Sequence, residues 1–153
     1  MESGWVGIRE ARPDEAAGLS ALANESKAHW GYSAEALARW RTELTITPQD
    51  ILRHPTFVAE TGGRVVGFYM LHLDAPRTIE HLWIHPASLR RGVGTLLIRH
   101  ALALDREGHE PIRVVSDPHA AGFYEHHGGV RTDCVSAPLP GLPDRVLPVY
   151  EFP

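Results

Sequence analysis

Lysine and cysteine are nearly missing from this 153-residue sequence. Fourteen of its fifteen cationic side chains are arginine; the other is Lys27. That bias assigns no function by itself. The single cysteine, Cys134, excludes a disulfide within the chain and a Cys-rich zinc site. Long apolar runs are also missing. The longest, Val65 to Leu71, falls far short of the roughly 20 residues of a membrane helix. The opening MESGWVGIRE has no apolar segment of the kind a secretory signal needs. Surplus positive charge is absent too, and a net charge of −4 argues against a general nucleic-acid binder. The expectation is a soluble cytoplasmic protein with no membrane or nucleic-acid partner.

What is present reads as a globular chain, with 43% hydrophobic and 22% charged residues. The length suits one domain, residues 1–153. WVGIRE reads as a short strand. A helix over PDEAAGLSALANESKAHW follows, with Pro13 and acidic residues in its first turn. Ser33 is placed to cap a second helix, AEALARWRTEL, and Thr47 precedes another short helix start. FVAET-GG-RVVGFYMLHL predicts a hairpin. TIEHLWIH is a third strand in series, and Gly92 to Glu107 has a helical apolar stripe. IRVVSD is a strand, PHAAGFYEHHGG a short helix closed by glycine, and VRTDCVSA and RVLPVYEF are the final strands. The alternation predicts a mixed α/β sheet with helices on both faces.

The stretch LRRGVGTLL, residues 89–97, holds the only adjacent pair of basic side chains. Glycines there open an amphipathic helix. A helix start exposes unpaired N–H groups at the positive end of the dipole, and glycine lets a ligand approach the backbone. A phosphate or pyrophosphate suits such a turn, as does a plain helix start beside exposed arginines. The dinucleotide pattern G-x-G-x-x-G fails at Leu97, and no Lys-Ser/Thr pair completes a P-loop.

WIHPASLRRGVGTLL resembles the pyrophosphate-binding segment of the GNAT family, the Gcn5-related N-acetyltransferases. Their pattern is Gln/Arg-x-x-Gly-x-Gly/Ala; Gly92 and Gly94 match, and Leu89 stands where Gln or Arg is usual. SDPHAAGFYEHHGGVR resembles the family's later signature at Pro118, Ala120, Phe123, Tyr124, Glu125 and Gly128. Asp117 replaces the usual Asn there, and Gly129 the usual Phe. The resemblance implies an α/β (α+β) fold: a mixed, mostly antiparallel sheet of about seven strands, flanked by helices and splayed between strands 4 and 5. It implies an acyl-CoA-dependent N-acyltransferase that moves acetyl from acetyl-CoA directly to a primary amine of a small molecule or amino acid. None of the ten histidines stands in H-E-x-x-H spacing, so no metal is expected. The CoA contacts the resemblance implies are Trp83 and Ile84 for the pantetheine arm and Arg90, Arg91, Gly92, Val93, Gly94 and Thr95 for the pyrophosphate, with Asp117 and Phe123 nearby.

Tyr124 stands at the family's tyrosine acid, which would protonate the departing thiolate. An amine with a pKa near ~10.4 must also lose a proton before it attacks. The resemblance points to Glu80 as the base, on a strand where alternation puts it on one face with Leu82 and Ile84; His81 is the next candidate. His29, Trp30 and Tyr32, in the joint between the first two helices, are candidate acceptor contacts. With Glu25 they form an aromatic, partly acidic wall that suits a small cationic or amino-acid amine. Three other readings stay open. One is a non-catalytic acyl-CoA-binding or sensor domain, another a nucleotide-binding module, and the third acetylation of a protein N-terminus or lysine. An exposed final strand is a place where two copies can pair as a homodimer.

Overall fold

The computed structural model describes residues 5–104 and 110–153. The elements run β1 (Gly7–Glu10), α1 (Ala16–Ala28), α2 (Ala34–Trp40), α3 (Pro48–Arg53), β2 (Thr56–Thr61), β3 (Arg64–His72), β4 (Thr78–Ile84), α4 (Val93–Ala103), β5 (Ile112–Val115), α5 (Ala121–His126), β6 (Val130–Ser136) and β7 (Val146–Phe152). The expected continuation of α4 to Glu107 runs into residues 105–109, outside those described.

Seven strands form one sheet in the order β1-β2-β3-β4-β5-β7-β6. Every neighbouring pair is antiparallel except β4 and β5, which are parallel. The β2–β3 hairpin turns at Gly62 (φ +58°) and Gly63 (φ +77°), a left-handed pair that side chains disfavour. Alternation along β3 feeds two cores. Phe68 and Met70 pack with Leu19, Leu22 and Ile51 on the α1–α3 side. Tyr69 and Leu71 pack with Leu97, Ile98 and Tyr124 on the α4–α5 side. Burying one such side chain contributes ~1.5–3 kcal/mol, so the sheet is anchored from both faces.

Regular pairing breaks at two places near the middle of the sheet. The first is in β4. Met70 pairs with His81 and Leu71 with Ile79, so Glu80 is a bulge with no partner on β3. The second is Pro148, inside β7. Ser116 N–H donates to the Pro148 carbonyl (2.9 Å), but proline has no N–H to return. The β5–β7 ladder ends there, and the chain turns off at Asp117. The final strand is also not an edge. β7 lies between β5 and β6, and the exposed outer strand is β6. Among the described residues, no helix is long and apolar enough to cross a membrane.

Candidate functional site

Strands β4 and β5 pair only at Thr78 and Arg113, near their starts, and then diverge. A cavity of about 570 Å³ occupies the gap. Its middle is lined by Leu82, Trp83 and Ile84 of β4, and by Ala120, Phe123 and Tyr124 after β5.

One end of the cavity is made of backbone. His85 Nδ1 accepts the Ala87 N–H (3.1 Å) and tightens the turn that leaves β4. Arg90 then takes φ +63° and Gly92 φ +83°. Gly92 precedes the first turn of α4, and no side chain caps it. The first intrahelical bond runs from Leu96 N–H to Gly92 carbonyl, which leaves the N–H groups before it without helical partners. Gly94 permits a close approach of two helices: a Cβ there would lie 2.9 Å from Phe123 Cε1. Thr95 Oγ1 lies 3.2 Å from His127 Nε2. Ser88, Leu89, Arg90, Gly92, Gly94 and Thr95 line this end.

The other end is made of charged and aromatic side chains. Asp117 Oδ2 accepts from Lys27 Nζ (2.6 Å) and from the Tyr32 hydroxyl (2.8 Å). Its Oδ1 accepts the His119 backbone N–H (2.8 Å) and lies 2.8 Å from His119 Nδ1. Arg145 Nη2 donates to the Tyr32 oxygen (3.1 Å) and stands 4.0 Å from Asp117. Lys27 Nζ sits 4.3 Å from the Trp40 ring centroid, a cation–π contact. Trp30 stacks on His119 with centroids 4.9 Å apart. Burial pushes the Asp117 carboxyl up, but Lys27, the His119 N–H and the Tyr32 hydroxyl outweigh it and lower it to about 2.

Tyr124 lies between the two ends. It is 5% exposed, and that small exposed part lines the cavity. Burial and the nearby Asp117 charge raise its phenol well above the ordinary tyrosine value, so it keeps its proton at neutral pH.

A family model described as an acetyltransferase (GNAT) domain matches residues 53–128. The chain belongs to the GNAT family. No curated protein sequence matches it. A GCN5-related N-acetyltransferase structure from Rhodopseudomonas palustris is 25% identical, with a TM-score of 0.74 over 99% of this chain and 97% of that one. The PaiA N-acetyltransferase of Thermoplasma acidophilum, solved with coenzyme A, is 18% identical, with a TM-score of 0.77 over 97% and 98%. The ribosomal-protein-S18-alanine N-acetyltransferase of Escherichia coli is 17% identical, with a TM-score of 0.69 over 97% and 94%.

In this GNAT acetyltransferase the cavity brings together many of the residues singled out from sequence. Trp83, Ile84, Arg90, Gly92, Gly94, Thr95, Asp117, Phe123, Tyr124, His29 and Trp30 all line it. Arg91 and Val93 do not: Arg91 is exposed, and Val93 is buried in the α4-side core. Tyr32 is outside the lining and stands behind it, against Asp117 and His119. Glu80 is outside the lining, because the bulge turns it to solvent rather than onto the face of Leu82 and Ile84; its carboxylate is 3.8 Å from His72. His81 faces the α1 side, where its Nδ1 accepts from Trp83 Nε1 (3.1 Å). Glu25 is also off the wall, 3.4 Å from His85. Lys27, His119 and Arg145, which surround Asp117 and Tyr32, are not among the residues singled out from sequence. The one available signal was Lys27, a lone lysine among arginines.

Proposed function

We propose that this GNAT acetyltransferase moves an acetyl group from acetyl-CoA directly to the primary amine of a small molecule or amino acid. One observation carries the reading. The cavity runs from an uncapped helix start, along the unpaired edge of β4, to a protonated buried tyrosine. Each part suits a different portion of acetyl-CoA. The N–H groups at the start of α4, in the turn shaped by Arg90 and Gly92, suit the pyrophosphate. The free edge at Trp83 and Ile84 suits the amide-rich pantetheine arm, which can bond like an added strand. Leu89 packs on the core and contributes no charge, so backbone and Arg90 carry the phosphate contact. The relative from T. acidophilum was solved with coenzyme A, which fits the same use of the fold.

Tyr124 is the proton donor in this reading. The amine nitrogen attacks the thioester carbon, the C–S bond breaks, and the sulfur takes the phenolic proton. Trp30, Trp83 and His29 bound a compact acceptor end suited to a small amine.

The test is release of CoA thiol from acetyl-CoA across a panel of amines, amino acids and peptides with free N-termini. Tyr124→Phe is expected to lower kcat by about 10²–10⁴-fold and leave acetyl-CoA affinity nearly unchanged. Full turnover by that variant would remove Tyr124 from the acid role. Binding of acetyl-CoA with no turnover on any amine would favour a non-catalytic acyl-CoA-binding domain.

A further inference from the structure

If acetyl-CoA is the donor, as proposed above, the acceptor amine needs a base, and neither Glu80 nor His81 reaches the cavity. We propose that His119, oriented by Asp117, takes the proton from the acceptor amine. The donors and acceptors of the Asp117 cluster fix which His119 nitrogen carries the hydrogen.

Tyr32 has one hydroxyl proton, and Asp117 Oδ2 is its acceptor at 2.8 Å. Arg145 also donates to the Tyr32 oxygen. Tyr32 therefore has no proton left for His119 Nδ1, although the two atoms are 3.2 Å apart. His119 Nδ1 also faces the ionised Asp117 Oδ1 at 2.8 Å. A lone pair on Nδ1 would oppose that carboxylate, so Nδ1 carries the hydrogen and donates it. The lone pair of the neutral ring then lies on Nε2. Nε2 makes no hydrogen bond among the described residues. A carboxylate that fixes the tautomer of a histidine leaves the opposite nitrogen ready as a base, the logic of the His-Asp pair in hydrolases.

The ring is also held in place. Trp30 stacks at 12° to its plane, and the Tyr32 ring meets it edge-on at 5.5 Å. Asp117 is in turn fixed by Lys27 from α1, and Arg145 stands behind Tyr32 from the segment before β7. The titratable or charged groups around His119 are thus Asp117, Lys27, Tyr32 and Arg145, with His29 beside Trp30 and Tyr124 across the cavity. Of these, Lys27, Tyr32 and Arg145 act as positioning residues.

The step balances. Nε2 takes one proton from the acceptor ammonium, and the freed nitrogen lone pair forms the N–C bond. The C–S bond breaks with its electron pair on sulfur, which takes the Tyr124 proton. The second proton leaving nitrogen restores the phenol through water, and His119 returns its proton to solvent.

The experiment compares the full chain with His119→Gln and His119→Ala on the best amine from the panel. Acetyl-CoA affinity is measured for each by calorimetry. Both variants are expected to lose about 10²–10³-fold in kcat/KM for the amine with acetyl-CoA affinity within about twofold. The acidic limb of the wild-type kcat/KM profile should be lost. Turnover by His119→Ala should rise toward wild type at high pH, where the amine sheds its own proton, and on addition of imidazole. Variants that keep the wild-type rate and acidic limb overturn the base assignment and leave the acetyl transfer intact. A wild-type protein that turns over no amine overturns both. Lost turnover with lost acetyl-CoA binding assigns His119 a structural part instead, and overturns the proposal.

Discussion

The two ends of the cavity are built from opposite materials. The turn from His85 to Thr95 offers backbone: left-handed residues, an uncapped helix start and N–H groups without helical partners. The end around Asp117 offers side chains, and its carboxylate already has donors on both oxygens. An unfilled backbone site suits a constant anionic ligand that completes it. A filled side-chain network suits a wall that orients one reactive ring against a variable acceptor. The family match sharpens the contrast. Residues 53–128 include the whole backbone turn but exclude Lys27, His29, Trp30, Tyr32 and Arg145. The Asp117 end is thus assembled largely from outside the matched region.

The largest effect on stability is expected at Lys27. Lys27→Met removes the closest partner of a carboxylate whose side chain is only 11% exposed. Breaking a fully buried pair costs ~3–5 kcal/mol, but Arg145 remains 4.0 Å away, so about 2–3 kcal/mol is expected by urea denaturation. Acetyl-CoA affinity should stay within about twofold, since the turn at Gly92 is untouched. A loss below about 0.5 kcal/mol would show that Arg145 alone holds Asp117.

The pH dependence should follow the same carboxylate. Its folded pKa of about 2 lies below the unfolded aspartate value near ~3.9. The stabilisation is therefore fully present above about pH 4 and is lost as pH falls toward about 2. Glu15, hydrogen-bonded by Arg9 and also lowered to about 2, adds a loss in the same window. Asp117→Asn should flatten the Asp117 share of that acid limb, with the Glu15 share left in place. An unchanged thermal-denaturation profile between about pH 5 and 2 would contradict the assignment.

At the backbone end the test is Gly92→Ala. Nothing lies within 4 Å of the added Cβ, so the penalty is purely the left-handed backbone at φ +83°, ~1–2 kcal/mol. If acetyl-CoA requires that conformation, affinity should weaken by roughly tenfold, with the acid limb of stability unchanged. Loss of acid stability in this variant would mean that the two ends are coupled.

The same contrast explains what was legible. The turn was readable because its parts are consecutive: two glycines three and five residues past Leu89, then an apolar stripe. The sheet was readable because strand periodicity and turn glycines are local signals. The Asp117 cluster was not, because Lys27 and Arg145 lie 90 residues before Asp117 and 28 after it, and no spacing rule links them. Glu80 misled for a further reason. Strict alternation puts it with Leu82 and Ile84, but one extra residue at the bulge shifts Ile79 onto that face and leaves Glu80 outside.

The smallest expected effect comes from that shift. Glu80→Gln changes an exposed carboxylate paired loosely with His72 at 3.8 Å, so stability should move by less than about 0.5 kcal/mol. The amine kcat should stay within about twofold, because no cavity atom belongs to Glu80. This small effect is as diagnostic as the large ones. A carboxylate acting through a chain of waters from outside the cavity would lower kcat and shift the acidic limb of the rate profile without changing acetyl-CoA affinity. That outcome would move the base off the Asp117 end and onto the outer edge of β4. The side-chain end of the cavity would then be a wall for the acceptor with no part in its deprotonation.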